Sequence, residues 1–389
     1  MVDLLLLLLL ASAAAAHPGL TGAGPAPVIG AAAVPATGTV RAAPLIIDGY
    51  DFSEYPPADQ PPPINATWNA MYDIASINLP NVPVKNPLNS VEEPPCPLTS
   101  ATCDWTCFNC TKPTDDVACK DHNTWALSYD DGPSEYTVPI LEALNKIGAK
   151  ATFCILGSRA LAHPAILRRV YDAGHQICVH TWSHRFLTTQ TNEQIVAEFE
   201  WTLRIIQQVT GARPLYARPP FGDIDDRVRA VFAKMNLVPL LWNRDTFDWK
   251  LASANSGFDA KWVTGNFTNW IATAGSTSTG FMSLEHDLYP QSAAQALPAL
   301  DLVSRAGYKL QTASQCIGTN PYLSVVSVPI PVVAPTGPMK TSPIASLPTT
   351  RSRGNSGNAA VSVGAPRSTV VTAVLAALVS LAAVSFFGA

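Results

Sequence analysis

Apolar runs of strand length alternate with amphipathic segments between residues 96 and 322. We predict seven short strands here: Thr124–Tyr129, Ala151–Leu156, His175–His180, Leu215–Arg218, Leu237–Trp242, Phe281–His286 and Lys309–Gln311. Regular alternation of strand and helix predicts a parallel sheet. About seven such units in one domain favour a distorted (β/α)7-type barrel over an open doubly wound sheet. No Gly-rich G-x-G-x-x-G follows any of these strands, which argues against a dinucleotide fold.

Two of the amphipathic segments carry clear helix signals. In residues 136–148, Val138, Leu141 and Leu144 recur at helical spacing, and the pattern stops at Gly148. The segment 191–211 opens on Thr-x-x-Gln, which is the spacing of a capping box, and stops at a glycine. Both segments are therefore predicted to be helices packed on the sheet.

The segments on either side of this body have a different composition. Residues 17–95 are rich in Pro, Ala and Gly, and we predict a disordered, extended N-terminal arm in which residues 64–77 form one short helix that docks on the body. Residues 323–358 are rich in Pro, Ser and Thr, which predicts a C-terminal stalk.

Both ends of the chain resemble targeting segments. Residues 1–16 combine a short leucine run with small residues, as in a cleaved secretory signal; a membrane anchor is the alternative, but Leu4–Leu10 is too short to span a bilayer. Small residues at 356–359 are followed by a spacer and then by an apolar end from Val370 with no charge after it, the order of a glycosylphosphatidylinositol (GPI) signal, so that residues 359–389 would be removed. We predict attachment at Asn358, with Ser356 or Gly357 as neighbouring choices and a true membrane helix as the alternative.

Charge and cysteine content narrow the compartment and the partners. The net charge of −4 argues against nucleic acid, because phosphate binding needs clustered Lys and Arg. Eight cysteines in a secreted chain predict disulfides. The spacing of Cys107 and Cys110 also occurs in zinc sites, although an oxidising compartment favours disulfides. Three sequons predict N-glycans, at Asn65, Asn109 and Asn266.

Polar motifs follow the predicted strands. They are DDGPS, HTWSH, RPPFGD, NRDTFDW and EHD, after the first, third, fourth, fifth and sixth strands. Active sites of α/β barrels gather at the carboxyl ends of the strands. These motifs, although distant in sequence, should therefore meet at one mouth.

A metal site is the chemistry that best unites two of these motifs. His180 and His184, four residues apart, would share one face of a helical turn, but the pair alone more often means ordinary surface imidazoles than a metal site. With a carboxylate from the DDGPS motif they make the two-His, one-Asp set of a hydrolytic zinc site, and ferrous iron is the alternative ion. Of Asp130 and Asp131, whose side chains should point apart, one would bind the metal and the other accept a proton.

The remaining motifs offer groups for acyl transfer. Arg218 could pair with a carboxylate across the mouth, and the backbone N–H of Phe221 could stabilise an oxyanion. His286 could protonate a leaving amine, with Asp245 holding its ring nitrogen. The alternatives are a structural proline loop and a core histidine.

Taken together, SYDDGPS, HTWSH, RPPFGD, DTFDW and SLEH resemble, in order and rough spacing, the five motifs of the NodB-type polysaccharide deacetylase family, and the ends of the chain resemble those of its lipid-anchored fungal chitin deacetylases. The resemblance implies Asp130 as general base, oriented by Arg218, and His286 as general acid, tuned by Asp245. It also implies zinc or cobalt held by Asp131, His180 and His184, an oxyanion donor at Phe221, an acetyl pocket of Leu284 and Trp249, and a Cys119–Cys316 disulfide. Cys154 and Cys178 either pair or stay free.

The resemblance implies a secreted, GPI-anchored and monomeric enzyme of the fungal cell wall and the outer face of the plasma membrane. It would remove N-acetyl groups from chitin, releasing acetate and leaving chitosan. Two other functions stay open: an esterase on another O-acetylated polysaccharide, and a wall protein that binds glycan without turnover.

Overall fold

The computed structural model describes residues 46–253 and 255–328. Its strands, in chain order, are β1 Ile46–Ile47, β2 Tyr50–Asp51, β3 Thr124–Asp130, β4 Thr152–Ile155, β5 Gln176–Val179, β6 Ala212–Pro214, β7 Tyr216–Ala217, β8 Val238–Pro239, β9 Arg244–Asp245, β10 Phe281–His286, β11 Lys309–Gln311 and β12 Tyr322–Val325. Each of the seven predicted strands overlaps one of these. The short strand β9 was not predicted, because two residues are too few to show a pattern.

The helices are α1 Ala66–Met71, α2 Trp105–Phe108, α3 Thr137–Lys146, α4 Gly157–Ala162, α5 Pro164–Asp172, α6 Asn192–Thr210, α7 Asp226–Lys234, α8 Lys261–Thr273, α9 Pro290–Arg305 and α10 Ala313–Ile317. Both predicted helices are confirmed. At the start of α6, Thr191 and Gln194 form the predicted capping box. The helix ends at Gly211, whose φ of 82° is left-handed and suits glycine.

The sheet is a distorted (β/α)7-type barrel, as predicted. Its strands run in the order β8-β7-β5-β4-β3-β10-β9, with β11 also paired to β3, and the pairs are parallel. Within the described residues β8 and β9 do not pair with each other, so the barrel stays open between them. Strand β3, at the centre, is buried along its whole length, as expected for a parallel strand covered on both faces.

Alternate residues of the strands face two different cores. Trp125, Leu127 and Tyr129 of β3 belong to a large cluster shared with the surrounding helices. Ala126 of β3 and Met282 of β10 belong to a smaller cluster on the other face of the sheet. Because side chains alternate with a period of two, the inner face continues upward to the polar ends of the strands.

The N-terminal arm differs from its prediction over residues 46–95, which pack on the barrel and are not disordered. Phe52 is fully buried, and Trp68 of the predicted docking helix is 8% exposed and packs against Trp201 of α6. The aromatic residues in this proline-rich stretch bury enough apolar surface to hold it in place. They are too few to change the average composition on which the prediction of disorder was based. Residues 17–45 lie outside the described residues.

The C-terminal end of the body lies beyond its predicted boundary at residue 322. Strand β12 pairs antiparallel with β6, and Val326 donates a backbone hydrogen bond to Gly211. The rest of the predicted stalk, the signal segment 1–16, the anchor segment 359–389 and Asn358 lie outside the described residues. No helix within residues 46–253 and 255–328 is long and apolar enough to cross a membrane.

All eight cysteines lie in the described part of the chain and form four disulfides: Cys96–Cys107, Cys103–Cys110, Cys119–Cys316 and Cys154–Cys178. The pairing of Cys119 with Cys316 is confirmed, and Cys154 and Cys178 are paired. Cys107 and Cys110 each bond elsewhere, so the alternative of a zinc site at this pair is excluded.

The three sequons lie in different local structures. Asn65 caps α1 through its side-chain oxygen and Asn109 follows α2 in a left-handed conformation, whereas Asn266 lies inside α8. The side-chain amide of Asn266 donates to the backbone carbonyl of Thr246. Glycosylation of the three residues stays a prediction.

Candidate active site

The inner face of the barrel ends in polar side chains from neighbouring strands. Asp130 is the last residue of β3 and lies opposite His286, the last residue of β10, in the parallel register. His180 directly follows β5. Side-chain alternation places all three on the inner face at the carboxyl ends of their strands, so the predicted convergence of the motifs at one mouth is confirmed for these residues.

Asp131, His180 and His184 form a cluster with the geometry of a metal site. Their candidate ligand atoms lie within 4.8 Å of one another. The Oδ1 atom of Asp131 is 3.4 Å from Nε2 of His180 and 3.2 Å from Nε2 of His184. Three ligands on a tetrahedral ion with bonds of about 2.0–2.1 Å would be about 3.3–3.4 Å apart. The two carboxylate–imidazole distances therefore match the spacing that one ion requires.

The hydrogen bonds around this cluster leave its ligand atoms available. The Oδ1 atom of Asp131 is buried, and no donor in the described part of the chain bonds to it. His180 lies with Nδ1 2.8 Å from the carbonyl oxygen of Arg218, so Nδ1 carries the proton and Nε2 keeps its lone pair. A buried, unpartnered carboxylate oxygen beside free imidazole nitrogens fits a bound cation.

The protonation states also fit. Burial lowers the pKa of His184 to about 4, so the ring is neutral at pH 7, the form that binds metal ions. Burial alone would raise the pKa of Asp131, but the adjacent imidazoles of His184 and His180 hold it below its ordinary range. The cluster thus presents one carboxylate and, at His184, a neutral nitrogen donor.

The two histidines do not share a helical turn, and that prediction is wrong. Residues 180–184 form an irregular loop in which Thr181 has a φ of 71° and His184 a φ of 54°. The backbone N–H of His184 donates to the hydroxyl of Thr181. Two left-handed residues fold the loop back on itself, which brings the imidazoles together without a helix.

The side chains of Asp130 and Asp131 do not point apart as expected. Asp131 has a φ of 75°, and this left-handed turn returns its carboxylate to the mouth. Both residues consequently approach the same atom: Nε2 of His180 is 3.4 Å from Asp131 and 3.7 Å from Asp130. A metal ligand and a proton acceptor can therefore stand side by side.

Arg218 is fully buried and holds Asp130 in place. Its Nη1 donates to Oδ1 of Asp130 and to the hydroxyl of Ser128, each at 2.7 Å. The other guanidinium nitrogens donate to the carbonyl oxygens of Leu240 and Leu241. Every nitrogen of the guanidinium group has an acceptor, so the arginine fixes one oxygen of Asp130 and leaves Oδ2 toward the mouth.

His286 is paired with Asp248, and the predicted contact with Asp245 is wrong. Asp248 Oδ1 lies 2.7 Å from Nδ1 of His286, and Asp248 Oδ2 accepts the backbone N–H of His286 at 2.8 Å. Asp245 instead accepts the backbone N–H of Phe247. The sequence signal was present, because DTFDW contains both aspartates, but the prediction chose Asp245, since the short turn that places Asp248 beside His286 leaves no pattern in the sequence.

This pairing determines the charge of His286. Burial alone would lower the pKa of its imidazole, but the Asp248 carboxylate outweighs burial and raises the pKa to about 10. The ring is therefore protonated at neutral pH. With Nδ1 bonded to Asp248, Nε2–H is the proton that the ring can donate.

Phe221 adopts a left-handed conformation at the tip of the RPPFGD loop, with a φ of 59°. Its ring stacks on Phe186 at 4.0 Å between centroids and meets the His184 ring edge-on at 4.5 Å. Among the described residues no acceptor takes its backbone N–H. This N–H beside a candidate metal ligand is available to a substrate oxygen.

The two residues expected to line an acetyl pocket lie on neighbouring elements. Leu284 is on β10, where it pairs with Asp245 and is 4% exposed. Trp249 belongs to the 3₁₀ turn Asp248–Ala252, directly after the partner of His286, and is 39% exposed. Their roles in a common pocket stay a prediction.

Comparisons with known proteins point to one family. Residues 118–240 match the family model described as "Polysaccharide deacetylase". Chitin deacetylase 1 of Cryptococcus neoformans var. grubii is 38% identical over 301 residues, which are 73% of this chain and 63% of that protein. Chitin deacetylase 1 of Saccharomyces cerevisiae is 32% identical over 248 residues, which are 64% of this chain and 77% of that protein.

The matched region spans less than two thirds of several of these relatives; it covers 43% of Chitin deacetylase 2 of the same Cryptococcus variety. Among solved structures, the chitin deacetylase of Colletotrichum lindemuthianum is 25% identical with a TM-score of 0.47, over 53% of this chain and 92% of that one.

Proposed function

Since this chain belongs to the polysaccharide deacetylase family, we propose that it hydrolyses N-acetyl groups of N-acetylglucosamine units in chitin, giving chitosan and acetate. The observation that carries the proposal is the arrangement at the mouth. The three-ligand cluster of Asp131, His180 and His184 lies beside a carboxylate fixed by Arg218. A protonated His286 closes the same mouth, one strand away from Asp130.

The cluster would hold a divalent ion, and we propose zinc or cobalt because two imidazoles and one carboxylate suit both. Such an ion supplies Lewis acidity and lowers the pKa of a water molecule. Three protein ligands leave a position for water or substrate, as in catalytic zinc sites. The unpartnered Oδ1 of Asp131 is the support that this chain itself offers.

The residues around the cluster would then divide the proton transfers. Asp130 takes a proton from the attacking water through Oδ2, while Arg218 holds Oδ1. The backbone N–H of Phe221 donates to the oxyanion that forms from the amide carbonyl. His286 donates its Nε2 proton to the nitrogen of the departing amine, so that the C–N bond breaks to give acetate and a free amine.

Asp248, not Asp245, would tune His286 in this scheme. The carboxylate of Asp248 raises the pKa of His286, so that the imidazole is protonated when the amine leaves. Leu284 and Trp249 would enclose the methyl group of the acetyl moiety, because both are apolar and flank His286 in the chain or in the sheet.

Acetate release tests the proposed function. Wild-type protein with added zinc or cobalt should release acetate from chitin oligomers, and Asp130→Asn should be slower by about 10² or more, because general base catalysis contributes that much. Equal rates for the two proteins would end the role of Asp130. More acetate from acetylxylan than from chitin would favour an esterase, and chitin binding with no acetate at all would favour a binding protein.

We also propose where the enzyme acts. Four disulfides suit an oxidising compartment, which supports secretion after removal of residues 1–16. A lipid anchor at Asn358 would retain a monomeric enzyme at the outer face of the plasma membrane and in the cell wall. Release of the protein from intact cells by a phospholipase specific for phosphatidylinositol would support the anchor, and its retention would contradict it.

A further inference from the structure

The loop between the two candidate histidine ligands needs outside support. Thr181 and His184 are both left-handed, a conformation that a β-branched residue such as threonine rarely adopts. Strained residues of this kind persist only where surrounding contacts fix them. Whatever fixes residues 181–184 also sets the distance between the two imidazoles.

One side of this loop is held by the start of α4. The backbone N–H of Gly157 donates to the carbonyl of Thr181 at 2.9 Å. The hydroxyl of Ser158 donates to the carbonyl of Trp182 at 2.8 Å. These contacts satisfy the carbonyl groups of Thr181 and Trp182, whereas the N–H groups of Trp182 and Ser183 face the other side.

The other side of the loop is held by the carboxylate of Glu198 on α6. Its Oε2 accepts the backbone N–H of Trp182 and of Ser183, each at 2.8 Å. Its Oε1 accepts the hydroxyl of Ser183. Glu198 is 1% exposed, so one buried carboxylate takes three donors from two consecutive loop residues.

A buried acid at this position is not required by the packing of α6. Glu198 lies three residues after Ile195 and so falls on the apolar face of the helix. A carboxylate there costs free energy unless hydrogen bonds compensate it. The hydrogen bonds that compensate it come from the loop that joins the two histidines.

We propose that Glu198 is a positioning residue of the metal site, which fixes the loop between His180 and His184 and thereby sets the affinity for the ion. The inference rests on the proposed metal site, but not on the substrate. Within the described residues Glu198 forms no hydrogen bond with either imidazole, and its effect passes through Trp182 and Ser183. Partners that orient metal ligands typically change affinity by about 10–100-fold when they are removed.

Glu200 provides a matched control on the same helix. It is 4% exposed and equally engaged, since its carboxylate accepts bonds from Arg213 and from the hydroxyl of Tyr72. Its partners lie on β6 and in the N-terminal arm rather than in the metal loop. Loss of Glu200 should therefore lower stability without changing metal affinity.

The experiment measures zinc and cobalt affinity of the full-length purified protein by competition with a chelator. We expect Glu198→Ala to bind about 10–100-fold more weakly than wild type and Glu200→Ala to bind like wild type. Glu198→Gln should recover most of the loss, because its amide oxygen can accept both N–H groups while its NH₂ faces the Ser183 hydroxyl. The absorption spectrum of the cobalt form should change with Glu198→Ala, since the ligand geometry changes.

Wild-type affinity and an unchanged cobalt spectrum in Glu198→Ala would overturn the proposal, and so would equal losses in Glu198→Ala and Glu200→Ala. If Glu198→Ala does not fold, Ser183→Ala removes one of the three donors with little change in volume; it should bind several-fold more weakly, and wild-type affinity there would overturn the proposal instead. Failure of the wild-type protein to bind either metal would refute the metal site itself. Metal binding without acetate release would refute only the proposed reaction.

Discussion

The two sides of the barrel mouth shift the pKa of histidine in opposite directions. On one side, His180 and His184 surround an unpartnered carboxylate oxygen, and burial keeps the pKa of His184 at about 4. On the other side, the carboxylate of Asp248 bonds to His286 and raises its pKa to about 10. We call these the metal side and the acid side.

The difference shows that burial and the hydrogen-bond partner of a ring together decide its chemistry. Nδ1 of His180 faces the carbonyl oxygen of Arg218, which turns Nε2 toward the Asp131 carboxylate. Nδ1 of His286 faces an anion, which favours the imidazolium with a proton on Nε2. Two identical side chains within one mouth can thus serve as a ligand and as an acid.

The largest expected effect comes from breaking the metal side. His184→Ala removes one of three ligands, so we expect loss of bound metal and of acetate release, measured by elemental analysis and by acetate assay of the same samples. Chelation of the wild type should reproduce the loss, and added zinc or cobalt should reverse it only in the wild type. His122→Ala is the control, because His122 is exposed and forms its only ion pair with Asp121 in the described residues. Full activity in metal-free protein would contradict the assignment.

Breaking the acid side should reduce the rate and spare the metal. His286→Asn removes the proton donor but no ligand, so kcat on chitin oligomers should fall by about 10²–10⁴. Metal content should stay at the wild-type value, which separates this variant from His184→Ala. A loss of metal in His286→Asn would mean that the two sides are not independent.

The next prediction concerns pH and distinguishes Asp248 from Asp245. A general acid works while it is protonated, so activity should be lost as pH rises through the pKa of His286, which the Asp248 carboxylate raises to about 10. Asp248→Asn removes the anion that raises this pKa, so the alkaline loss of kcat should move to lower pH. Asp245→Asn removes no bond to the ring, so the pH at which kcat is lost should stay much closer to the wild-type value. A larger shift in Asp245→Asn than in Asp248→Asn would instead support Asp245 as the partner of His286, as predicted from the sequence.

The sequence predicted the parts of this site that depend on strand ends. Because each motif follows an apolar run, the barrel and the meeting of Asp130, His180 and His286 could be inferred from side-chain alternation and topology. The loop geometry could not be inferred, because left-handed conformations at Asp131 and Thr181 leave no pattern in residue type.

The misses have a common physical cause. Asp248 was overlooked because a 3₁₀ turn brings its carboxylate to His286, and Glu198 because its partners lie in an irregular loop on another element. The order of residues 46–95 depends on a few aromatic side chains, among them Phe52, within a composition typical of disorder. Long-range partners decide each case, and local patterns do not record them.

The smallest expected effect concerns Phe221, whose ring contacts His184 on the metal side. Phe221→Tyr keeps both the backbone N–H and the ring that stacks on Phe186 at 4.0 Å, and the ring is 42% exposed, so there is room for a hydroxyl. Substitutions at exposed positions usually change the free energy of unfolding by no more than about 0.5 kcal/mol. A change of the same size in the activation free energy alters the rate about twofold. We therefore expect kcat and metal affinity within about twofold of wild type. A much larger fall in kcat with unchanged metal affinity would mean that the ring itself, and not the N–H behind it, contacts the reacting group.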